Sequence, residues 1–154
     1  MGQGYELNCI ECGFGYSVYL GVGMLYSPGS VFGSDGCEPR LADIVKDEGV
    51  AEKALSLLKE GYEPDMDYNR ELYVCPECRN LSDRFFFKLR KGGERYVPDY
   101  KCPECRILLR RAILKNVLDT FGIRIVYRNG RDPDWRCPKC GCRTLTSMFI
   151  ICWD

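Results

Sequence analysis

Eight of the eleven cysteines in this chain of 154 residues form four Cys-x-x-Cys pairs, and the chain contains no histidine. The pairs are Cys9/Cys12, Cys75/Cys78, Cys102/Cys105 and Cys137/Cys140. A Cys-x-x-Cys turn directs two thiolates to one side, and two such turns complete a tetrahedral site for a divalent ion. The four pairs therefore predict two four-cysteine metal sites, and the predicted cofactor is zinc, with two ions per chain.

Each pair and the residue after it form a short turn, here called a knuckle and numbered 1 to 4 in chain order. Knuckles 2, 3 and 4 read Cys-Pro-x-Cys, and proline fixes φ so that the following amides point at the first sulfur. The residue after the second cysteine needs a left-handed backbone, which suits Gly13 and Gly141. Arg79 and Arg106 stand there in knuckles 2 and 3, where a guanidinium beside two negative charges can offset about 1 kcal/mol of strain.

The sequence leaves three ways of grouping the knuckles. Sequential grouping, with knuckles 1 and 2 on one ion and knuckles 3 and 4 on the other, gives each half of the chain its own ribbon and is our prediction. A nested grouping joins knuckles 2 and 3, whose short separation suits a compact ribbon, and leaves knuckles 1 and 4 to share the other ion. An interleaved grouping is the third possibility. Of the remaining cysteines, Cys37 has no predicted role, Cys142 is a spare ligand or a packed side chain, and Cys152 is predicted to lie in the core.

The knuckles are flanked by strand-like segments that are rich in β-branched and aromatic residues. The predicted strands are residues 6–8, 16–20, 72–74, 85–89, 123–127 and 144–152, the last apolar enough to be central in a sheet. Helical spacing of apolar residues predicts a helix over 38–60, divided at Gly49 and ending at Gly61, and another over 105–121, ending at Gly122. Asn129-Gly130 predicts a tight turn.

The predicted fold is therefore a small metal-bound α+β protein, with two four-cysteine zinc ribbons of short antiparallel strands and one or two inserted helices. A degenerate duplication would divide the chain into residues 1–92, an acidic half, and residues 93–154, a basic half. One compact domain is the alternative.

Charge is unevenly distributed. Residues 1–77 contain five Lys/Arg and fourteen Asp/Glu, a net charge of −9, whereas residues 78–154 contain seventeen and eight, a net charge of +9. Either the acidic half docks on the basic half, which is the preferred interpretation, or the basic half presents a face to nucleic acid.

Several classes of function are unexpected on chemical grounds. Four thiolates close the coordination sphere of zinc, and a chain without histidine has no imidazole base, so we expect no enzyme and no catalytic residues. The carboxylates of residues 60–71 resemble a solvated loop, and no Gly-x-Gly-x-x-Gly loop precedes a helix. The start of the chain does not resemble a signal peptide, no stretch is long enough to span a bilayer, and clustered cysteines favour the reducing cytoplasm.

Knuckle 4, Cys137-Pro-Lys-Cys-Gly141, matches the Cys-Pro-x-Cys-Gly pattern of zinc-ribbon proteins, and knuckle 1 matches it without the proline. The chain resembles that group. Segments 9–13, 20–26, 72–78 and 152–154 together also resemble small uncharacterised bacterial proteins with several zinc knuckles. That resemblance implies a bacterial cytoplasmic protein and carries no activity with it. Rubredoxin-like iron proteins share the knuckle, but they have two knuckles in a much shorter chain.

The prediction is thus a non-enzymatic zinc-binding protein with two structural sites that acts as a nucleic-acid-binding or regulatory module. Cations of the basic half interleave with aromatic residues, as in proteins that bind phosphates and stack on unpaired bases. These cations are Arg79, Arg84, Lys88, Arg90, Lys91, Arg95, Lys101, Arg106, Arg110 and Arg111, and the aromatic residues are Phe85, Phe86, Phe87, Tyr96 and Tyr100. A protein adaptor, with the acidic region 38–71 facing its partner, is the alternative, and an iron electron carrier is the third hypothesis.

Overall fold

A computed structural model describes residues 2–33, 37–117, 122–127 and 136–153, and they form a small α+β fold that is mostly strands. The helices are α1 Pro28–Phe32, α2 Leu41–Ile44 and α3 Glu48–Lys59. The strands are β1 Gly2–Cys9, β2 Gly15–Leu20, β3 Glu63–Pro64, β4 Asn69–Val74, β5 Leu81–Phe86, β6 Leu89–Lys91, β7 Glu94–Tyr96, β8 Arg110–Val117, β9 Gly122–Tyr127 and β10 Leu145–Trp153.

The strands form three antiparallel sheets, in the orders β10-β1-β2, β5-β4-β8-β9 and β3-β6-β7. β1 pairs with β10 along its whole length, from Gly2 opposite Trp153 to Cys9 opposite Leu145. β4 pairs with β8, with Val74 opposite Arg110. These two pairings join segments that are far apart in sequence, and each of them brings two knuckles together.

Successive side chains of β4 belong to two different hydrophobic cores. Leu72 and Val74 belong to a core between the sheets that contain β1 and β4, here called the sheet-side core; its other members include Leu7, Val18, Leu81, Ala112 and Leu145. Tyr73 belongs to the core under the helices, here called the helix-side core; its other members include Phe32, Leu41, Ala54, Leu57, Phe85, Phe87, Leu89 and Tyr100. Burial of each large apolar side chain contributes about 1.5–3 kcal/mol, so both cores are substantial.

The predicted helix over 38–60 forms as two helices, α2 and α3. Asp47 caps α3, because its carboxylate accepts a hydrogen bond from the Val50 amide at 3.1 Å. Gly61, with φ +88°, ends it as predicted. The division falls at residues 45–47 rather than at Gly49, since an aspartate cap begins a helix more favourably than a glycine interrupts one.

The predicted helix over 105–121 is wrong. β8 begins at Arg110 and pairs with both β4 and β9, whereas residues 118–121 lie outside the described residues. The apolar residues fit a period of two as well as a helical period, and cross-strand pairing decides between them. Gly122, predicted as the end of the helix, is the first residue of β9.

The strand predictions at 6–8, 16–20, 72–74 and 123–127 are confirmed by β1, β2, β4 and β9, and the strand at 144–152 by β10. The segment 85–89 is divided between β5 and β6. β10 lies at the edge of its sheet rather than in the centre, because β1 pairs on both sides. The predicted turn at Asn129-Gly130 lies outside the described residues.

The predicted boundary between residues 92 and 93 falls in the turn between β6 and β7, where Gly92 has φ +57°. Strands from before and after this turn pair with each other in all three sheets. Whether residues 1–92 and 93–154 can fold as separate units stays a prediction.

Candidate metal centres

The eight cysteines gather into two groups of four, each with its sulfur atoms within 4.8 Å of one another. The outer cluster contains Cys9, Cys12, Cys137 and Cys140, and the inner cluster contains Cys75, Cys78, Cys102 and Cys105. The predicted sequential grouping is therefore wrong, and the nested grouping is found. Pairing of β1 with β10 places knuckle 1 beside knuckle 4, and pairing of β4 with β8 places knuckle 2 beside knuckle 3.

All four knuckles have the same backbone. The amide four residues after the first cysteine donates to the carbonyl of that cysteine, at distances from 2.9 to 3.1 Å. The amide of the first cysteine donates to the carbonyl five residues later, at 2.8 or 2.9 Å. The residue after the second cysteine has the expected positive φ, namely 68° at Gly13, 61° at Arg79, 61° at Arg106 and 76° at Gly141. Four copies of one turn thus present four pairs of thiols.

Distances between sulfurs in the outer cluster match a tetrahedral thiolate site, and the corresponding distances in the inner cluster are shorter. A zinc–sulfur bond of about 2.3 Å places tetrahedral sulfurs about 3.8 Å apart. In the outer cluster, Cys9 Sγ lies 3.7 Å from Cys140 Sγ and Cys12 Sγ lies 3.6 Å from Cys137 Sγ. In the inner cluster, the corresponding distances are 3.2 Å for Cys75–Cys105 and 3.5 Å for Cys78–Cys102. Both clusters are too open for disulfides, whose sulfurs lie about 2.05 Å apart, and both could hold a metal ion.

In the outer cluster, Cys9 and Cys137 are buried in the sheet-side core, Cys12 is partly buried and Cys140 is exposed. Thr144 Oγ1 lies 3.2 Å from Cys9 Sγ. A hydrogen bond from this hydroxyl, aided by the amides of Cys12 and Glu11, lowers the pKa of Cys9 to about 6 against the opposing effect of burial. Burial raises the pKa of Cys12 to about 12. One thiol therefore loses its proton readily, and a bound cation must displace the proton of its neighbour.

In the inner cluster, Cys75 and Cys102 are buried, and all four cysteines pack with the helix-side core. Burial raises the pKa of Cys102, but hydrogen bonds from the amides of Cys105 and Glu104 and from the neighbouring thiols outweigh it, and the pKa is lowered to about 7. Burial raises the pKa of Cys78 to about 12. The inner cluster thus repeats the outer pattern of one acidic and one weakly acidic thiol.

Sequence reasoning missed Thr144, because nothing in its position 135 residues from Cys9 indicates a contact with it. The prediction that Cys152 lies in the core is wrong, because Cys152 is exposed. Cys142 is also exposed, so it is not a packed side chain, and its role as a spare ligand stays a prediction. Cys37 is exposed as well, and none of these three belongs to either cluster.

The aromatic residues proposed for base stacking are largely inaccessible. Phe85, Phe86, Phe87 and Tyr100 are all buried, and Tyr96 is partly buried against the helix-side core. The three phenylalanines and Tyr100 therefore cannot stack on the bases of a nucleic acid without unfolding.

Ion pairs join residues 1–77, where acidic side chains predominate, to residues 78–154, where basic side chains predominate. Asp65 pairs with Arg90, Asp67 with Lys88, Glu71 with Arg111, and Asp83 with Arg70. The carboxylates of residues 60–71 are therefore not only a solvated loop, since Glu71 is buried and three of them hold cations. Within the described residues, this supports the interpretation that the acidic residues 1–77 dock on the basic residues 78–154.

Comparisons of the chain with protein-family models, with curated proteins and with solved structures give no match. The positions of the sulfur atoms in the two four-cysteine clusters are consistent with zinc-ribbon-like sites. In the part of the chain that the structure describes, no helix has both the length and the apolar character needed to cross a membrane.

Proposed function

We propose that this protein is a non-enzymatic zinc protein, in which two structural four-cysteine sites hold together a surface that binds another macromolecule. The observation that carries the proposal is the pair of clusters, each joining two knuckles that are far apart in sequence. Each ion would then replace core that two short hairpins cannot supply. Structural zinc contributes on the order of 10–16 kcal/mol to folding in small zinc domains.

Four tetrahedral thiolates suit zinc or iron. Zinc is proposed because this chain has four knuckles in 154 residues, whereas rubredoxin-like iron proteins have two knuckles in a much shorter chain. Metal analysis of the purified chain tests this directly. Two zinc ions per chain and a colourless protein are expected. A coloured protein with iron at either cluster would favour electron transfer, and a metal content near one per chain would contradict the two-site proposal.

The absence of catalysis is proposed from the same chemistry. A catalytic zinc keeps a coordination position for water or substrate, and four thiolates leave none. The chain contains no histidine to act as a general base. Cytoplasmic location is proposed because unpaired thiols persist in a reducing compartment.

A protein is the best supported partner. Most aromatic residues proposed for stacking are buried, and Lys88, Arg90 and Arg111 are already held in ion pairs. Met24, Leu25 and Met66, in contrast, are 76%, 67% and 73% exposed. Tyr68 donates a hydrogen bond to the carbonyl of Tyr26 at 2.8 Å, which ties the segment after Met66 to the loop of Met24 and Leu25. Large exposed apolar side chains on neighbouring loops are typical of protein-binding surfaces.

The experiment is isolation of the zinc-loaded chain with its bound partners under mild conditions. A single protein at a fixed stoichiometry, without nucleic acid, is expected. The double variant Met24→Asp/Leu25→Asp should lose this partner and keep both zinc ions. Ile107→Asp, which alters an exposed apolar residue directly after knuckle 3, is the matched control and should keep the partner. Equal loss in both variants would contradict the assignment of the surface.

Nucleic acid is the second candidate, favoured by three exposed cations next to the inner cluster. Arg79, Lys101 and Arg106 are exposed, and no ion pair among the described residues includes them. They would contact phosphates rather than bases. Binding of an RNA or DNA duplex should then weaken steeply with salt, because counterions are released, and Arg79→Ala/Arg106→Ala should reduce that slope. Affinity that is absent, or that does not change with salt, would exclude this candidate.

A further inference from the structure

The two clusters differ in the accessibility of their thiols. Cys140 of the outer cluster is exposed, and Cys142, which belongs to neither cluster, is exposed two residues later. The outward-facing cysteines of the inner cluster, Cys78 and Cys105, are both partly buried. None of the three remaining cysteines lies within an inner knuckle. Only at the outer cluster, therefore, does an accessible thiol of the cluster have a second accessible thiol beside it in the described chain.

We propose that Cys140 and Cys142 form a thiol-oxidation site, at which a hydroperoxide converts the two thiols to a disulfide and removes one ligand from the outer cluster. The inference rests on the proposed function in one respect, namely that the outer cluster binds zinc. Beyond the proposed function, the inference names hydroperoxides as the reactant and a disulfide as the modification that releases this ion.

The chemistry is a two-electron oxidation in two steps. Coordination keeps Cys140 as a thiolate, the nucleophilic form of cysteine. Its sulfur attacks the terminal peroxide oxygen, an S–O bond forms, the O–O bond breaks, and the other oxygen leaves as alkoxide or hydroxide and takes a proton from water. Cys140 is then a sulfenic acid and the peroxide is reduced. The thiol of Cys142 next attacks the Cys140 sulfur, an S–S bond forms, the S–O bond breaks, and the oxygen leaves as water with the proton of the thiol.

The backbone of knuckle 4 keeps Cys142 beside Cys140. The Cys137 amide donates to the Cys142 carbonyl at 2.8 Å, and the Gly141 amide donates to the Cys137 carbonyl at 2.9 Å. Residues two apart in a chain have Cα atoms at most about 7 Å apart, and disulfides need about 4.4–6.8 Å. Gly141 separates the two cysteines, and apart from these two neighbours no atom lies within 4 Å of the position where its Cβ would stand. The bend between the two cysteines at Gly141 therefore meets no other segment among the described residues.

Cys9 competes with Cys142 for the oxidised sulfur, because Cys9 Sγ lies 3.7 Å from Cys140 Sγ. However, Cys9 is only 2% exposed, and its sulfur lies 3.2 Å from Thr144 Oγ1. A buried sulfur held in a hydrogen bond cannot easily turn to attack along the line of the S–O bond. Cys142 is exposed, so its side chain can turn freely.

The test uses the full chain loaded with zinc and exposed to a small excess of hydrogen peroxide, with released zinc measured by a chromogenic chelator. Trypsin cleaves after Lys139 and Arg143, so Cys140 and Cys142 leave together in the peptide 140–143. We expect one zinc ion per chain to be released first, while the peptide 140–143 loses two hydrogen atoms. Cys142→Ser should slow this release about tenfold, because the neighbouring thiol acts at a high effective concentration.

Cys152→Ser, which removes an exposed thiol on β10 outside the knuckles, is the matched control and should leave the rate unchanged. Three results would overturn the inference: a disulfide from Cys140 to Cys9, Cys12 or Cys137, equal release of zinc from both clusters, or an unchanged rate in Cys142→Ser. The peptide mass in the unaltered chain decides the matter even if a variant fails to fold. The zinc content before peroxide is added tests the proposed function separately, since two ions without the disulfide contradict the inference alone.

Discussion

The outer and inner clusters are built from the same knuckle and placed in different surroundings. The inner cluster joins β4 to β8, and all four of its cysteines pack with the larger, helix-side core. The outer cluster joins β1 to β10, and its Cys140 is exposed. The knuckles of the inner cluster end in arginine and those of the outer cluster end in glycine. The same turn therefore packs all of its cysteines against a core in the inner cluster and leaves one cysteine exposed in the outer cluster, so its surroundings are set by the strands it joins.

The largest expected effect comes from removing one buried ligand from each cluster. Cys102→Ala should abolish cooperative folding, because it opens a cavity in the helix-side core and removes a ligand of the proposed zinc site, whose binding would be worth several kcal/mol. Cys137→Ala should weaken the pairing of β1 with β10 and leave α3 folded. Circular dichroism at 222 nm during urea unfolding measures both. Equal loss of helix in the two variants would break the comparison.

The ion pair of Glu71 and Arg111 lies between β4 and β8 and so supports the inner cluster but not the outer one. Glu71 is buried, and the Arg111 guanidinium also lies 3.4 Å from the centroid of the Phe86 ring. Glu71→Gln should lower the free energy of unfolding by about 3–5 kcal/mol, since it leaves a cation partly buried without its counter-charge.

The exposed pair of Arg40 and Asp43 provides the control for Glu71→Gln, and Asp43→Asn should change the free energy of unfolding by about 0–1 kcal/mol. Both values come from urea titration at fixed zinc concentration. Similar values for the two variants would show that burial of Glu71 adds nothing to its pairing with Arg111.

Thr144 distinguishes the outer cluster through its hydroxyl, which lies 3.2 Å from Cys9 Sγ. Thr144→Val keeps the shape of the side chain and removes the donor, so zinc affinity of the outer cluster should fall about 10–100-fold. Competition with a chelator measures this affinity. Ser82→Ala is the control, since Ser82 occupies the corresponding position after knuckle 2 and should leave both affinities unchanged.

The smallest effect concerns the residue after the second cysteine. Gly13→Arg introduces into the outer cluster the residue that the inner knuckles contain, at a φ of +68° and with no atom within 4 Å of the new Cβ. Only backbone strain opposes the change, so the protein should be destabilised by about 1 kcal/mol. A thermal unfolding series compares it with Gly13→Ala, which has the strain without the charge. If Gly13→Arg destabilises the protein clearly less than Gly13→Ala does, attraction between the guanidinium and the thiolates offsets the backbone strain.

Much of the candidate site could be predicted from the spacing of the cysteines, because the chemistry of a knuckle is local. The positive φ after each second cysteine was predicted from the same local geometry. The grouping was not, although knuckles 2 and 3 share the pentapeptide Cys-Pro-Glu-Cys-Arg and knuckles 1 and 4 both end in glycine. Grouping the knuckles by the similarity of their sequences would have selected the nested arrangement. The helix assigned to 105–121 failed because Ala112 and its neighbours satisfy two periods, and only pairing with β4 selects the strand.

Local sequence was enough to predict the four knuckles, the end of α3 and most of the strands. Each depends on residues that are close together along the chain, so local backbone preferences and side-chain chemistry are sufficient. Only the tertiary structure decided which knuckles share a site, that Thr144 contacts Cys9, that three successive phenylalanines are buried, and that Cys140 and Cys142 are exposed. These features depend on which strands pair, and long-range pairing reflects the burial of whole faces rather than the preference of any one segment.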